Sequence, residues 1–333
     1  MDRRKKMKKW EKRFFGTSLI VFFAFGLLPG LAIGAQDKFP SKPVLIVVSW
    51  SAGGGQDLVA RALQPQLQEA LKQSVVIVNK VGAGGSIGFS SVAIADPDGY
   101  TILQASPSVN ILKYTLKAGI DYTNYAPIIF GAYTPATILV KVEAPWKDLK
   151  EFLAYAKANP GKIRIANSGY GGIWHIAAIA IEKGAGVKFT HVPYKGTAPS
   201  VSALLGGHID AILAGFGDTL HLIKDGKMKP IGVAAPERSK FAPNVQICKE
   251  LGMDVDMISY YSWVAPKATP KDRIKILHDG FKKALQSKAF EDFADSQGVT
   301  IAPKDSDEFA KFLEKEDNKY KELITIAGIK PEG

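Results

Sequence analysis

Short β-branched runs alternate with helix-patterned segments through most of this chain, and that alternation limits the folds open to it. Val44–Val48 and Val75–Val78 are almost wholly apolar, and Tyr100–Leu103 is a third such run. Between the first two, Val59, Leu63, Leu67 and Leu71 recur at four-residue steps, which places them on one face of a helix over Asp57–Lys72. Strands apolar on both faces, joined by helices, predict an α/β fold with a parallel sheet covered on both sides. Further strands are expected at Ile138–Val142, Ile163–Ala166, Phe189–Val192, Ile209–Leu213, Pro230–Ala234 and Ser259–Val264. A helix from about Trp146 to Ala158 carries Asp148 and Glu151 at capping-box spacing and closes at Pro160-Gly161. After Val264 the pattern turns helical: Lys271–Gln286, Lys288–Gln297 and a long amphipathic helix from about Ser306 to Ala327. At 333 residues the chain suggests two domains.

The net charge of +11 invites a nucleic-acid reading, but its placement argues against one. Residues 1–35 hold eight of the 43 Lys/Arg and two of the 32 acidic residues, so they carry six of the eleven charges. That basic stretch runs into an apolar segment, Phe14 to Ile33, broken at Pro29-Gly30 and ending in Gly34-Ala35 before Gln36-Asp37. These are the parts of a secretory signal peptide, with cleavage expected after Ala35; an uncleaved anchor is the alternative. The remaining five charges are scattered among mixed basic and acidic side chains. The expectation is an exported protein without disulfides, since Cys248 has no partner in the sequence.

Three glycine clusters each follow a strand and open a helix: Ser51-Ala52-Gly53-Gly54-Gly55-Gln56-Asp57, Gly82–Gly88 with Gly84 and Ser86, and Ser168-Gly169-Tyr170-Gly171-Gly172. A loop of this kind lets backbone approach a ligand, and the helix start offers unpaired N–H groups to an anion. None of them reads G-x-G-x-x-G or G-x-x-x-x-G-K-[ST], so nucleotide binding is not indicated. Ser168 lacks the G-x-S-x-G frame of a hydrolase nucleophile, and the five histidines show no metal-ligand spacing. No catalytic residue, metal or cofactor is expected. His175 follows a glycine loop and is a candidate ligand contact.

Several motifs occur together and in order: Pro40-Ser41-Lys42-Pro43, Gly53-Gly54-Gly55-Gln56-Asp57 with Ala60-Arg61, and Asn79-Lys80-Val81-Gly82-Ala83-Gly84-Gly85-Ser86-Ile87-Gly88. Pro97-Asp98-Gly99-Tyr100-Thr101, Asn159-Pro160-Gly161-Lys162, Val192-Pro193-Tyr194-Lys195-Gly196 and Ala268-Thr269-Pro270 continue the series. Together they resemble the solute-binding proteins of tripartite tricarboxylate transporters, the TctC or Bug family. The resemblance implies a two-domain periplasmic binding-protein fold (type II-like), its ligand cleft between lobes joined by two crossing segments. It sets lobe 1 at 36–137 plus 259–333 and lobe 2 at 138–258. It implies a monomer that binds a small carboxylate and serves the membrane permease subunits of such a transporter, with no nucleic-acid partner. The expected ligand contacts are Trp50, Ser51, Ala52, Gly53, Gly54, Asp57, Gly84, Ser86 and Ser106 from lobe 1. From the other side come Ser168, Tyr170, Gly171, Gly172, Trp174, His175, Tyr194 and Gly215, with Tyr260 on the returning segment.

Three departures from the family pattern bear on the ligand: Ile173-Trp174 after Gly172 in place of the frequent Thr or Ser, Tyr260 and Ser262 in place of the usual Trp and Gly, and Ala214. Ala214 stands where many relatives have Asp, which leaves no obvious carboxylate to pair an α-amino group. Trp50, Tyr170, Trp174, Tyr260 and Tyr261 point to a ligand with an apolar or aromatic body. An extracytoplasmic sensor of the same fold is the alternative function, and an exported hydrolase a more distant one.

Overall fold

The structure, a computed structural model, describes residues 38–117, 119–167 and 169–331. The leader reading and Ser168 lie outside the described residues. In the first half of the chain β1 (Val44–Val48), β2 (Val75–Asn79) and β3 (Thr101–Ala105) alternate with α1 (Gly55–Leu71), α2 (Ser86–Ala93) and α3 (Ser108–Thr115). β4 (Tyr125–Lys141) follows, then α4 (Leu149–Ala158), β5 (Arg164–Asn167), α5 (Ile173–Ala185), β6 (Thr190–Pro193), α6 (Thr197–Leu205), β7 (Ala211–Ala214), α7 (Phe216–Lys224) and β8 (Met228–Ala234). The chain returns through β9 (Ile258–Pro266) and ends with α8 (Lys271–Leu285), α9 (Lys288–Ser296), β10 (Thr300–Lys304) and α10 (Ser306–Ile326).

The strands run in the order β2-β1-β3-β9-β4-β7-β5-β6, with β8 and β10 also paired to β4. Within each lobe the short strands are parallel: β1 with β2 and β3, β5 with β6 and β7. The wholly parallel sheet expected from the apolar runs is corrected at the centre, where β9 lies antiparallel to both β3 and β4. β4 leaves one lobe and β9 comes back, so their directions must oppose. β4 pairs with β9 up to Pro135 and with β8 from Ala136, so its partner changes within one step.

Packing follows the sequence periodicity. Val59, Leu63, Leu67 and Leu71 of α1 are buried against α8, and Gly280 of α8 allows that approach: a Cβ there would sit 2.6 Å from Leu71. α10 is shared between the lobes. Its Phe309 and Leu313 pack with Phe130 and Tyr260, whereas Tyr320, Leu323 and Ile324 pack with Ile176 and Ala180 of α5. Each such large side chain contributes roughly 1.5–3 kcal/mol by leaving water, so α10 fastens the two halves firmly.

Candidate functional site

Helix starts in this molecule differ in how they are capped. α4 and α9, away from the sheet's strand ends, cap themselves: Asp148 accepts from the Glu151 N–H and Ser287 from the Phe290 N–H. α10 is closed by a capping box between Asp305 and Glu308. The helices that leave the carboxyl ends of β1, β5, β6 and β7 begin instead on Gly54, Gly172, Gly196 and Gly215, which have no side chain to cap them; only at α7 does another residue step in, Thr134 Oγ1 accepting the Phe216 N–H (3.1 Å). A helix start left open keeps N–H groups and partial positive charge available to an anion.

Three of these starts meet at one cavity of about 760 Å³ between the lobes. Gly53, Gly54 and Gly55 bring α1 from one side; Gly196 and Thr197 of α6 and Gly215 and Gly217 of α7 stand on the other. Of the expected contacts, Trp50, Ser51, Gly53, Gly54, Trp174 and Gly215 line this cavity. The aromatic wall is completed by Tyr261 and Phe293, and the indole N–H of Trp50 is left without a protein partner.

Asp57 faces away from the cavity and holds its rim. Its carboxylate accepts from the Gly53 N–H (2.9 Å), Asn79 Nδ2 (2.9 Å) and Arg61 Nε (2.9 Å), while the same Asn79 nitrogen reaches the Trp50 carbonyl (2.9 Å). Burial alone would push this carboxyl up; the hydrogen bonds from Arg61, Gly53 and Asn79, with the Arg61 charge, outweigh it and hold the pKa low. Gly53 takes φ +80°, a conformation that only glycine adopts without strain. Ala52 is exposed between two lining residues without lining the cavity itself.

The second glycine cluster serves packing. Gly84 and Ser86 lie outside the cavity wall, with Gly84 against Leu112 of α3 and Leu116 just beyond it. At Gly88 a Cβ would fall 2.3 Å from Ser49 Oγ, so the glycine permits α2 to press on β1. Ser106 is buried and does not line the cavity, its hydroxyl unpartnered. Tyr260 is wholly buried, with its hydroxyl donated to Asn110 Oδ1 (3.1 Å).

The third cluster closes on a neighbouring hollow. The Gly171 N–H donates to His175 Nδ1 (3.0 Å), and the Tyr170 ring packs 5.0 Å from the His175 ring. Gly172 caps α5, two residues before the cavity-lining Trp174. Tyr170 and His175 line a separate hollow of about 700 Å³ with Glu182 and His191, whose Nε2 is 3.2 Å from Glu182 Oε2. Burial, helped by His191, lowers the His175 pKa to about 4. Tyr194 binds backbone to backbone with Asn167 and leaves the cavity wall to Lys195, Gly196 and Thr197.

Sequence reasoning missed two charged groups in the cleft, Lys195 and Asp218. The expectation that no carboxylate follows β7 is corrected: Ala214 is neutral, but Asp218 stands in the first turn of α7 and lines the cavity. More than a third of Asp218 is open to water, yet protein walls it on both sides. Desolvation pushes its carboxyl above the usual carboxylate range, opposed by the nearby Thr197 hydroxyl. The signal was available, because an acidic residue in the first turn of a glycine-started helix points back toward the strand ends.

A family model described as the tripartite tricarboxylate transporter family receptor matches residues 59–329. The chain belongs to this family. The UPF0065 protein in the gbd 5' region of Cupriavidus necator is 33% identical over 316 residues, 92% of this chain and 94% of that protein. MatC from Rhodopseudomonas palustris, solved with bound malate, is 25% identical and aligns with a TM-score of 0.73 over 86% of this chain and 100% of its own. An R. palustris protein solved with adipate is 26% identical, with a TM-score of 0.78 over 88% of this chain and 100% of its own. The family is one of periplasmic solute-binding receptors, and its two-lobed fold is the one expected from the motifs.

Proposed function

We propose that this receptor captures a small organic carboxylate with an apolar or aromatic body. It then delivers that ligand to the permease subunits of a tripartite tricarboxylate-type transporter. The observation that carries the reading is the meeting of open glycine-started helices from both lobes, α1 and α6, at one aromatic-walled cavity. Open N–H groups supply the anion site, and Trp50, Trp174, Tyr261 and Phe293 supply the apolar wall. The malate and adipate held by the two R. palustris proteins are carboxylates of this size. Direct contact is assigned to Trp50, Ser51, Gly53, Gly54, Trp174 and Gly215, while Asp57 holds the loop that presents the first four.

On this reading residues 1–35 direct export and are removed after Ala35, and the receptor works as a monomer in the periplasm without a cofactor. Lobe limits of 36–137 plus 259–333, and 138–258, are supported by the change of β4's partner at Pro135–Ala136, with α10 reaching across both. A thermal-shift panel of citrate, malate, adipate, benzoate and phenylacetate tests the function. An acid at 100 times its dissociation constant adds about 2.7 kcal/mol and raises the melting temperature visibly. A flat response to all five would contradict the reading.

A further inference from the structure

Within the carboxylate-receptor reading, we infer that Asp218 selects ligands carrying a hydrogen-bond donor, an ammonium or a hydroxyl, besides their carboxylate. The cleft has two chemically opposite walls. On the α1 side, the wall offers the open N–H groups of the Gly53–Gly55 start, which suit a carboxylate. On the α7 side stands a carboxylate, which can only accept while ionised. No salt bridge engages Asp218 among the described residues: Arg61 is taken by Asp57 and Arg164 by Asp210. The titratable side chains lining the cavity are Asp218, Lys195 from the β6–α6 loop and Tyr261 from β9. From α6, Thr197 brings its hydroxyl near Asp218, and the Tyr261 phenol feels its charge. One hydroxyl leaves most acceptor positions of the carboxylate open. A ligand that fills the cavity displaces the water now solvating them, and only a donor on the ligand restores the lost bonds. The raised pKa of Asp218 agrees with a carboxylate that lacks a cation. A second carboxylate brought to this wall would meet like charge.

Titration calorimetry on the purified full chain with matched sets tests the inference. The sets are succinate, malate and aspartate; adipate with its 2-hydroxy and 2-amino derivatives; and phenylacetate, mandelate and phenylglycine. At pH 8 the donor-bearing members of at least one set should bind ten-fold or more tightly than their parent. That preference should vanish in Asp218→Asn for the ammonium ligand and in Asp218→Ala for both donors, with each variant's melting curve checking its fold. Affinity for the ammonium ligand should fall as acid protonates Asp218. Parents bound as tightly as their derivatives, or a preference that survives Asp218→Ala, would overturn the inference and leave the carboxylate function standing. Affinity that rises as the pH falls would also overturn it, since that marks a protonated Asp218 donating to a ligand carboxylate. Silence from every acid would remove the carboxylate function itself, and the inference with it.

Discussion

His175 couples one proton to the shape of a loop. Its Nδ1 accepts the Gly171 N–H, a bond that a protonated ring could not accept. The buried ring takes a proton only near pH 4, whereas an unconstrained histidine does so near 6.5. As acid is added the unfolded chain therefore gains the proton first. The contribution of His175 to stability is whole above pH 6.5, shrinks on the way down to 4 and then levels. Denaturant unfolding at pH 7 and pH 5 should differ by about 2 kcal/mol on account of this residue. His175→Gln, which accepts the Gly171 N–H without titrating, should lose that part of the pH dependence; an unchanged slope would show that the ring is not the group responsible. Residue-scale chemistry was only partly legible in the sequence. Asp57 stood out beside its glycines, but its work as a staple needs Asn79, 22 residues away. Asp218 is not legible from the family pattern, which places its Asp at Ala214, the last residue of β7, rather than in the helix turn that follows.

The elements were easier to read than their partnerships. α1, α8 and the long α10 showed their apolar stripes in sequence, and the Asp148 cap forms as its spacing predicts. Only the last four residues of β4, Ile138–Lys141, read as strand in the sequence, because Pro127, Gly131 and Pro135 look like strand breakers. The structure accommodates two of them with register shifts against β9, between Pro127 and Ile129 and between Phe130 and Ala132. Gly131 is needed there, since a Cβ would fall 2.6 Å from the Trp263 ring. β10 was missed because five residues between two helices carry little alternation. At this scale the tightest constraint on the cleft is Gly215. A Cβ there would lie 2.6 Å from Thr134 Cγ2 and 2.8 Å from its Oγ1, the atom that accepts the first N–H of α7. Gly215→Ala should therefore push α7 off β4, cost about 1–3 kcal/mol in denaturant unfolding and weaken ligand binding. Wild-type stability in that variant would mean that Thr134 yields freely and α7 is not fixed by this contact.

For the molecule as a whole, two parallel-stranded halves point their strand ends and open helix starts at one another across β4 and β9. The strands crossing between lobes permit a hinge, and α10, packed into both cores, limits how far the halves can part. The two-lobed architecture was legible only through the family resemblance that the ordered motifs carry. The convergence of α1, α6 and α7 was not, since it joins residues more than 140 positions apart. That convergence is the central claim, and titration calorimetry with malate and adipate on wild type and Gly55→Leu tests it most directly. A Cβ at Gly55 meets only the Tyr261 hydroxyl, at 3.4 Å, so the larger side chain should fill the cleft without unfolding the protein. The account predicts saturable, one-to-one binding of at least one of these acids to the wild type, lost in the variant; binding of equal strength to both proteins would contradict it.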